Sequence, residues 1–145
     1  MLDISVTNLT RQRINKNDII NCARATLRLL HRKSAELSIV IVGARRMATL
    51  NARYRHRAGV TDILSFQLSA AVKKTTVSGE IVICYREVVA GARRRGVKIS
   101  NYLKYLLIHG ILHLVGYEHE NVGPQVSARM WQRQQQLTRK LNVDF

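Results

Sequence analysis

With 145 residues, the chain is long enough to bury one self-sufficient core, and we predict a single domain over residues 1–145. The sequence has neither an apolar run of about 18 residues nor an N-terminal basic segment followed by an apolar one, which argues against a transmembrane helix and a secretory signal and favours the cytoplasm. Its 24 lysines and arginines outnumber nine acidic residues, and the resulting net charge of +15 favours a polyanion as partner. We prefer a nucleic acid to a membrane surface, because the sequence shows no interfacial helix with a bulky apolar face on one side and a lysine-rich face on the other.

The hydrophobic patterns along the chain predict four strands and five helices. The first half of the chain has a strand over 4–8, a helix from cap candidates at 15–18 to about 31, a strand over 37–42 and a helix after Gly43 to about 54. Next come a strand over 62–68, an exposed hairpin connection over 69–76 and a strand over 80–85. Three helices follow: one over 86–95 that Gly96 stops, one over 101–115, and a last one that Pro124 opens. This order predicts an α+β fold, in which a small mixed β-sheet is packed by about five helices.

Several apolar side chains are predicted to face the core. The continuous β-branched run over 37–42 is typical of a strand that is buried on both faces. The residues predicted to face inward in the second and last helices are Met47, Leu50, Tyr54, Val126, Met130, Leu137 and Leu141, with Trp131 as an anchor of the last helix. Cys22 and Cys84 stand in apolar segments without metal-ligand spacing, so we expect both to be reduced core residues.

Three of the five histidines fall within residues 109–119, at spacings of four and six. His109 and His113 would lie one above the other on a helix, whereas His119 would point about 240° away if the helix continued. Gly116 stands between them and can adopt the left-handed conformation that ends a helix. The three imidazoles can therefore surround one point, and three histidines with a fourth position left open describe a catalytic zinc site.

The helix that carries the first two histidines is apolar over most of its circumference, which predicts that it is buried. Its polar residues form one stripe, at Asn101, Tyr105, His109 and His113, each four positions after the last. Polar groups inside a core destabilise the fold unless they are partnered. A metal bound at the end of this buried helix would provide a partner for the two histidines.

The histidine and glycine spacing resembles the metzincin peptidase motif, with one important difference. Those enzymes carry a glutamate directly after the first histidine as the general base, and this chain has Gly110 there. A metallopeptidase-like hydrolase would therefore need Glu118 or Glu120 to act as base from another direction.

A closer resemblance is to the YbeY family of bacterial endoribonucleases. The family signature, His-Gly-x-Leu-His-Leu-x-Gly-Tyr-Asp-His, matches residues 109–119, with Glu118 in place of aspartate. A second family segment matches Leu50 to Arg55 and Thr61 to Gln67, and a third matches 78–81. Four residues differ from the family pattern. Proline is usual at the positions of Val60 and Gln67, and aspartate is usual at those of Glu80 and Glu118.

The resemblance implies a metal-dependent endoribonuclease that prefers single strands and acts in ribosomal RNA processing, ribosome maturation and quality control. One Zn²⁺ or another divalent ion would be held by His109, His113 and His119. Ribosomal RNA, the small ribosomal subunit and assembly factors would be its partners. The attacking group could be water activated by the metal or the 2′-hydroxyl of RNA, and the sequence does not choose between them.

The resemblance also places Arg55 at the family's active-site arginine, which predicts a catalytic and substrate-binding role. Arg93, Arg94 and Arg95 are further candidates for contacts with RNA phosphates, although a solvated helix face explains them nearly as well. For the group Thr61, Asp62 and Ser65, two interpretations stay open: they shape the cleft, or they cap a turn or strand start. A non-catalytic RNA-binding module of ribosome assembly, with a structural metal, is the remaining alternative.

Overall fold

The computed structural model of the chain describes residues 1–68, 76–117 and 122–145. Its elements are β1 (Leu2–Asn8), α1 (Lys16–Leu29), β2 (Ser34–Val42), α2 (Ala44–Arg55), β3 (Ile63–Gln67), β4 (Thr76–Cys84), α3 (Tyr85–Arg95), α4 (Ile99–Leu114) and α5 (Pro124–Lys140). The strands form one sheet in the order β1-β2-β4-β3, in which β1, β2 and β4 are parallel and β3 is antiparallel to β4. The predicted α+β fold with a small mixed sheet and five helices is confirmed for the described residues.

The predicted helix boundaries agree with local capping. The Asn15 side chain accepts a hydrogen bond from the Asp18 N–H at 3.0 Å and starts α1. Gly96 ends α3 in the left-handed conformation, with φ of +64°. By contrast, β4 begins at Thr76, four residues before the predicted start, because 76–79 pair with β2. The predicted hairpin connection lies, over 69–75, outside the described residues.

One face of the sheet carries the main hydrophobic core. Helix α4 packs across this face, flanked by α1, α3 and α5. Its predicted burial is confirmed, since Leu107, Ile108 and Ile111 are completely buried. Within the described parts of the chain, no helix has the length and hydropathy needed to cross a membrane.

The other face of the sheet is covered only near the carboxyl end of β2. There α2 lays Met47 over Val42 and Cys84 in a second, smaller core. The prediction that the run over 37–42 is buried on both faces is wrong at Ser38 and Val40, which are only half-buried. Both cysteines are buried and free, as predicted, and burial raises the pKa of the Cys22 thiol to about 11.

Three side chains predicted to face the core are instead exposed. Tyr54 is 54% exposed, because it turns away from the second core and packs edge-on against Phe66 with ring centroids 5.2 Å apart. Val126 is 37% exposed near the start of α5, and Trp131, predicted to anchor α5, is 41% exposed. The other inward predictions agree with the structure, since Met47, Met130 and Leu137 are completely buried and Leu50 and Leu141 are half-buried against the cores.

Candidate active site

An open cleft of about 650 Å³ lies where β3 meets the helices α2, α4 and α5. Its polar and aromatic lining comprises Tyr54, Arg55, Thr61, Asp62, Ser65, Gln67, Arg95, Tyr102, Tyr105, His109, His113 and Trp131. Arg55 and Asp62 are near neither each other nor the histidines in sequence, so the fold gathers them. The cleft brings together most of the residues that the sequence singled out.

His109 and His113 both line this cleft from the last turns of α4. Their rings lie 4.8 Å apart, centroid to centroid, and are almost perpendicular at 81°. His109 is buried, at 9% exposure, and its ring lies 5.5 Å from that of Trp131. Two imidazoles one turn apart are nitrogen donors that suit Zn²⁺ or a similar transition metal. The third predicted ligand, His119, lies outside the described residues, as do Glu118 and Glu120.

The glycine turn that follows the two histidines forms as predicted. Gly116 has φ of +104°, a conformation that residues with a side chain rarely adopt. Its N–H donates to the His113 carbonyl at 3.1 Å, and the Tyr117 N–H donates to the Leu112 carbonyl at 3.0 Å. These are the two hydrogen bonds of a Schellman motif, so α4 ends at this point and the chain changes direction.

Gly110, which replaces the glutamate of the peptidase motif, lies against the sheet. A Cβ atom built on it would be 2.9 Å from Ile63 Cδ1 and 3.1 Å from Ser65 Oγ. A side chain at this position would require the ends of the Ile63, Ser65 and Ile81 side chains to shift, so Gly110 permits the close approach of α4 to the sheet. The Ser65 hydroxyl donates to the Gly110 carbonyl at 3.4 Å, which gives Ser65 a structural role in holding β3 to α4.

Arg55 is the last residue of α2 and reaches the cleft at the start of a short loop. His56 ends the helix in the left-handed conformation, with φ of +54°. The buried side chain of Asn51 donates to the Gly59 carbonyl at 3.1 Å and so ties the loop to the helix. At the other end, the Asp62 carbonyl accepts from the Cys84 N–H at 2.9 Å. Sequence reasoning did not single out Asn51, although it lies in the family-like segment 50–55.

The three arginines of α3 are separated by the structure. All three are exposed, but of the three only Arg95 lines the cleft. Sequence reasoning also missed Tyr102 as part of the cleft wall, and it assigned Trp131 as an anchor of the last helix rather than to the cleft. Tyr105 could have been found, because it belongs to the polar stripe that leads to His109.

Among the described residues that line the cleft, Asp62 is the acidic one. Burial raises the pKa of its carboxyl group above the ordinary aspartate value, and hydrogen bonds from backbone N–H groups and the charge of Arg95 oppose that rise. Burial also raises the pKa of Tyr102 and Tyr105, so both phenols stay neutral at pH 7.

We expect Asp62→Asn to increase the free energy of unfolding of the metal-free protein at pH 7. Because the pKa of Asp62 is higher in the folded than in the unfolded state, the ionised carboxylate destabilises the fold at any pH above the folded-state pKa. Below the ordinary aspartate pKa, the carboxyl group is protonated in both the folded and the unfolded state, and this destabilisation vanishes. The gain should therefore shrink as the pH falls from 7 to about 4, which urea denaturation of chelator-treated protein would measure. Asp3→Asn removes an exposed carboxylate with the same change in net charge and should show no such gain. Lower stability of Asp62→Asn at pH 7 would contradict the prediction.

Comparison with known proteins agrees with the fold. The family model described as Endoribonuclease YbeY matches residues 5–142. The endoribonuclease YbeY of Syntrophus aciditrophicus is 32% identical over 138 residues, which cover 92% of this chain and 86% of that protein. The one from Anaeromyxobacter dehalogenans is 38% identical over 117 residues, which cover 81% of this chain but only 60% of the relative. A solution structure of a protein from Thermotoga maritima has a TM-score of 0.61 at 21% identity, covers 98% of this chain and 92% of that one, and shows the fold alone.

The mixed sheet, the buried helix α4 and the histidine pair at its end define a small α+β protein with a histidine-lined cleft. With a family match that spans nearly the whole chain, this protein belongs to the endoribonuclease YbeY family.

Proposed function

We propose that this protein is a metal-dependent endoribonuclease that cleaves single-stranded RNA in the cleft between β3 and α4. The observation that carries the proposal is the pairing of His109 and His113 in the same cleft as Arg55 and Arg95. An imidazole pair offers donors for a metal, and two guanidinium groups offer planar hydrogen-bond donors for phosphate oxygens. The net charge of +15 and the names of the relatives support RNA as the polyanion.

His109, His113 and His119 are the residues that would hold the metal, with zinc as the proposed ion. The bound ion would supply Lewis-acid polarisation of a phosphoryl oxygen and activation of a nucleophile. Trp131 packs beside His109, with the two ring centroids 5.5 Å apart. Arg55 would bind the phosphate that reacts and stabilise the charge that develops on its oxygens.

Arg95 would neutralise a neighbouring phosphate, because it lines the same cleft. Arg93 and Arg94 remain proposed contacts for RNA that extends beyond the cleft, where their exposure makes them accessible. The finer parts of the proposal follow from the family resemblance. They are ribosomal RNA as the substrate, the small ribosomal subunit and assembly factors as partners, a role in ribosome maturation and quality control, and the cytoplasm as the location.

Cleavage of a labelled single-stranded RNA by the purified protein tests the proposed function. We expect internal cleavage that a chelator abolishes and that added zinc restores, with little cleavage of the same sequence in a duplex. A set of short peptides serves as the counter-substrate. Peptide cleavage in place of RNA cleavage would favour the metallopeptidase-like alternative, which the packing of Gly110 disfavours. RNA binding without cleavage, under conditions where the protein holds its metal, would favour the non-catalytic assembly module.

A further inference from the structure

An aromatic stack stands in the wall of the cleft, one helical turn before His109. Tyr105 lies four residues before His109 on the same stripe of α4, and Phe145 covers the face of its ring. The two rings are parallel to within 2°, with centroids only 3.7 Å apart. Phe145 also stacks on Tyr102, at 5.6 Å and 28°. Beneath Phe145, the half-buried ring of Tyr105 and the ring of Tyr102, which is only 4% exposed, form one aromatic surface that would take a flat ring if Phe145 moved away.

The stack carries a positive charge at its edge. The Arg95 guanidinium lies 5.0 Å from the centroid of the Tyr102 ring and 5.6 Å from that of Phe145. A cation beside stacked rings in a cleft is the combination that binds single-stranded nucleic acid, where bases stack on aromatic side chains and arginine contacts the backbone or the base face. Because both tyrosines stay neutral at pH 7, they add no charge that would repel a phosphate.

Phe145 is a weakly held occupant of this surface. Its side chain remains 46% exposed. Two benzene-like rings prefer offset or edge-to-face packing, because a parallel sandwich places the negative faces of both rings against each other. A nucleobase has polar ring atoms and exocyclic groups and suits a parallel position better. The slot between Tyr105 and solvent therefore has the shape and the position for a base.

We propose that Tyr105, with Tyr102 and Arg95, forms a nucleobase-stacking subsite, and that the base of a single-stranded RNA displaces Phe145 from it. This inference rests on RNA being the substrate, as proposed above. Tyr105 and His109 are four residues apart, which corresponds to about 6 Å along the helix axis. A base held on Tyr105 thus belongs to a nucleotide near the bond that the histidine end of the cleft cleaves, and the subsite sets which bond is presented.

The test is the binding of 2′-O-methyl oligonucleotides in the presence of a chelator, which prevents cleavage whether water or the 2′-hydroxyl is the attacking group. A short oligoadenylate is compared with the same oligomer carrying abasic positions, which keeps the phosphates but removes the bases. We expect the wild-type protein to bind the oligoadenylate more tightly by roughly 5- to 150-fold, the range that stacking of one base provides. Tyr105→Ala should remove most of this difference, and Tyr105→Phe should retain it because the ring remains.

Three further variants test the subsite, and one of them, Arg93→Ala, is the matched control for Arg95→Ala. Phe145→Ala should bind the oligoadenylate more tightly than the wild type, because it removes the competing ring. Arg95→Ala should reduce the preference for bases, whereas Arg93→Ala, which removes the same charge from an exposed position on the same turn, should weaken both oligomers equally. A circular dichroism spectrum like that of the wild type would verify that each variant is folded.

The outcomes separate this inference from the proposed function. RNA cleavage by the wild type, together with a base preference that Tyr105→Ala leaves unchanged, would overturn the stacking subsite and leave the endoribonuclease intact. The converse, a base preference that depends on Tyr105 in a protein that cleaves no RNA, would retain the subsite as a binding site. A phenylalanine-containing peptide that binds more tightly than the oligoadenylate, with no preference for bases over abasic positions, would assign the aromatic surface to peptides and overturn the inference.

Discussion

His113→Ala is expected to abolish stoichiometric zinc binding. His113 is half-buried in the cleft with its ring 4.8 Å from that of His109, so its removal leaves at most two of the three proposed imidazole ligands. A site with only three protein ligands depends on each of them, and the loss of one should leave only a small fraction of an equivalent bound. Native mass spectrometry and elemental analysis of the purified variant would measure the metal content.

The same variant should lose the stabilisation that metal provides. A ligand that binds only the folded state adds about 2.7 kcal/mol at a concentration 100 times its Kd. Added zinc should therefore raise the melting temperature of the wild type and leave that of His113→Ala nearly unchanged. His31→Asn is the matched control, because it removes an exposed imidazole outside the cleft, and asparagine tolerates the left-handed backbone of that position. A full equivalent of zinc in His113→Ala would rule out the proposed ligand set.

Arg55→Ala is expected to slow RNA cleavage by roughly a hundred- to a thousandfold, which corresponds to about 3–4 kcal/mol of transition-state stabilisation. The expected loss has a geometric reason: the end of α2 brings this guanidinium into the cleft that holds the histidine pair. Arg55→Lys should also be impaired, because lysine keeps the charge but lacks the planar fork that donates two parallel hydrogen bonds. Single-turnover cleavage with saturating enzyme would measure the chemical step without a contribution from product release.

Three observations would distinguish this role from a general effect of charge. Both Arg55 variants should retain their metal, because arginine is not a ligand. Their affinity for RNA should change much less than their cleavage rate, because many other basic residues remain. Arg46→Ala removes an exposed arginine from the first turn of the same helix and should cleave at nearly the wild-type rate. Wild-type cleavage by Arg55→Ala would make Arg55 an ordinary surface charge.

Local features of the site could be predicted from the sequence because they depend on residues close together in the chain. The four-residue spacing of His109 and His113 sets them on one face of α4, and Gly116 permits the backbone turn that ends this helix. The glycine stop of α3 and the cap of α1 at Asn15 are determined in the same local way. The burial of α4 also followed from its sequence, since a helix that is apolar nearly all round must be covered by other elements.

Other features were decided by packing between distant segments. An apolar pattern indicates which side of a helix faces inward, but it does not tell how far the neighbouring elements extend. Tyr54 and Trp131 therefore line the cleft instead of filling a core. The same limit explains the error in β2, whose second face is covered only where α2 crosses it.

Sequence alone determined which side chains this protein has available for metal and phosphate chemistry, and it determined the local geometry of the histidine pair. Tertiary structure decided which of these groups share a cleft. Adjacent helix residues point about 100° apart, so only the packing of α3 could turn Arg95 into the cleft and leave Arg93 and Arg94 outside it. Likewise, the parallel stack of Phe145 on Tyr105 joins residues 40 positions apart, and no local spacing rule reaches across such a distance.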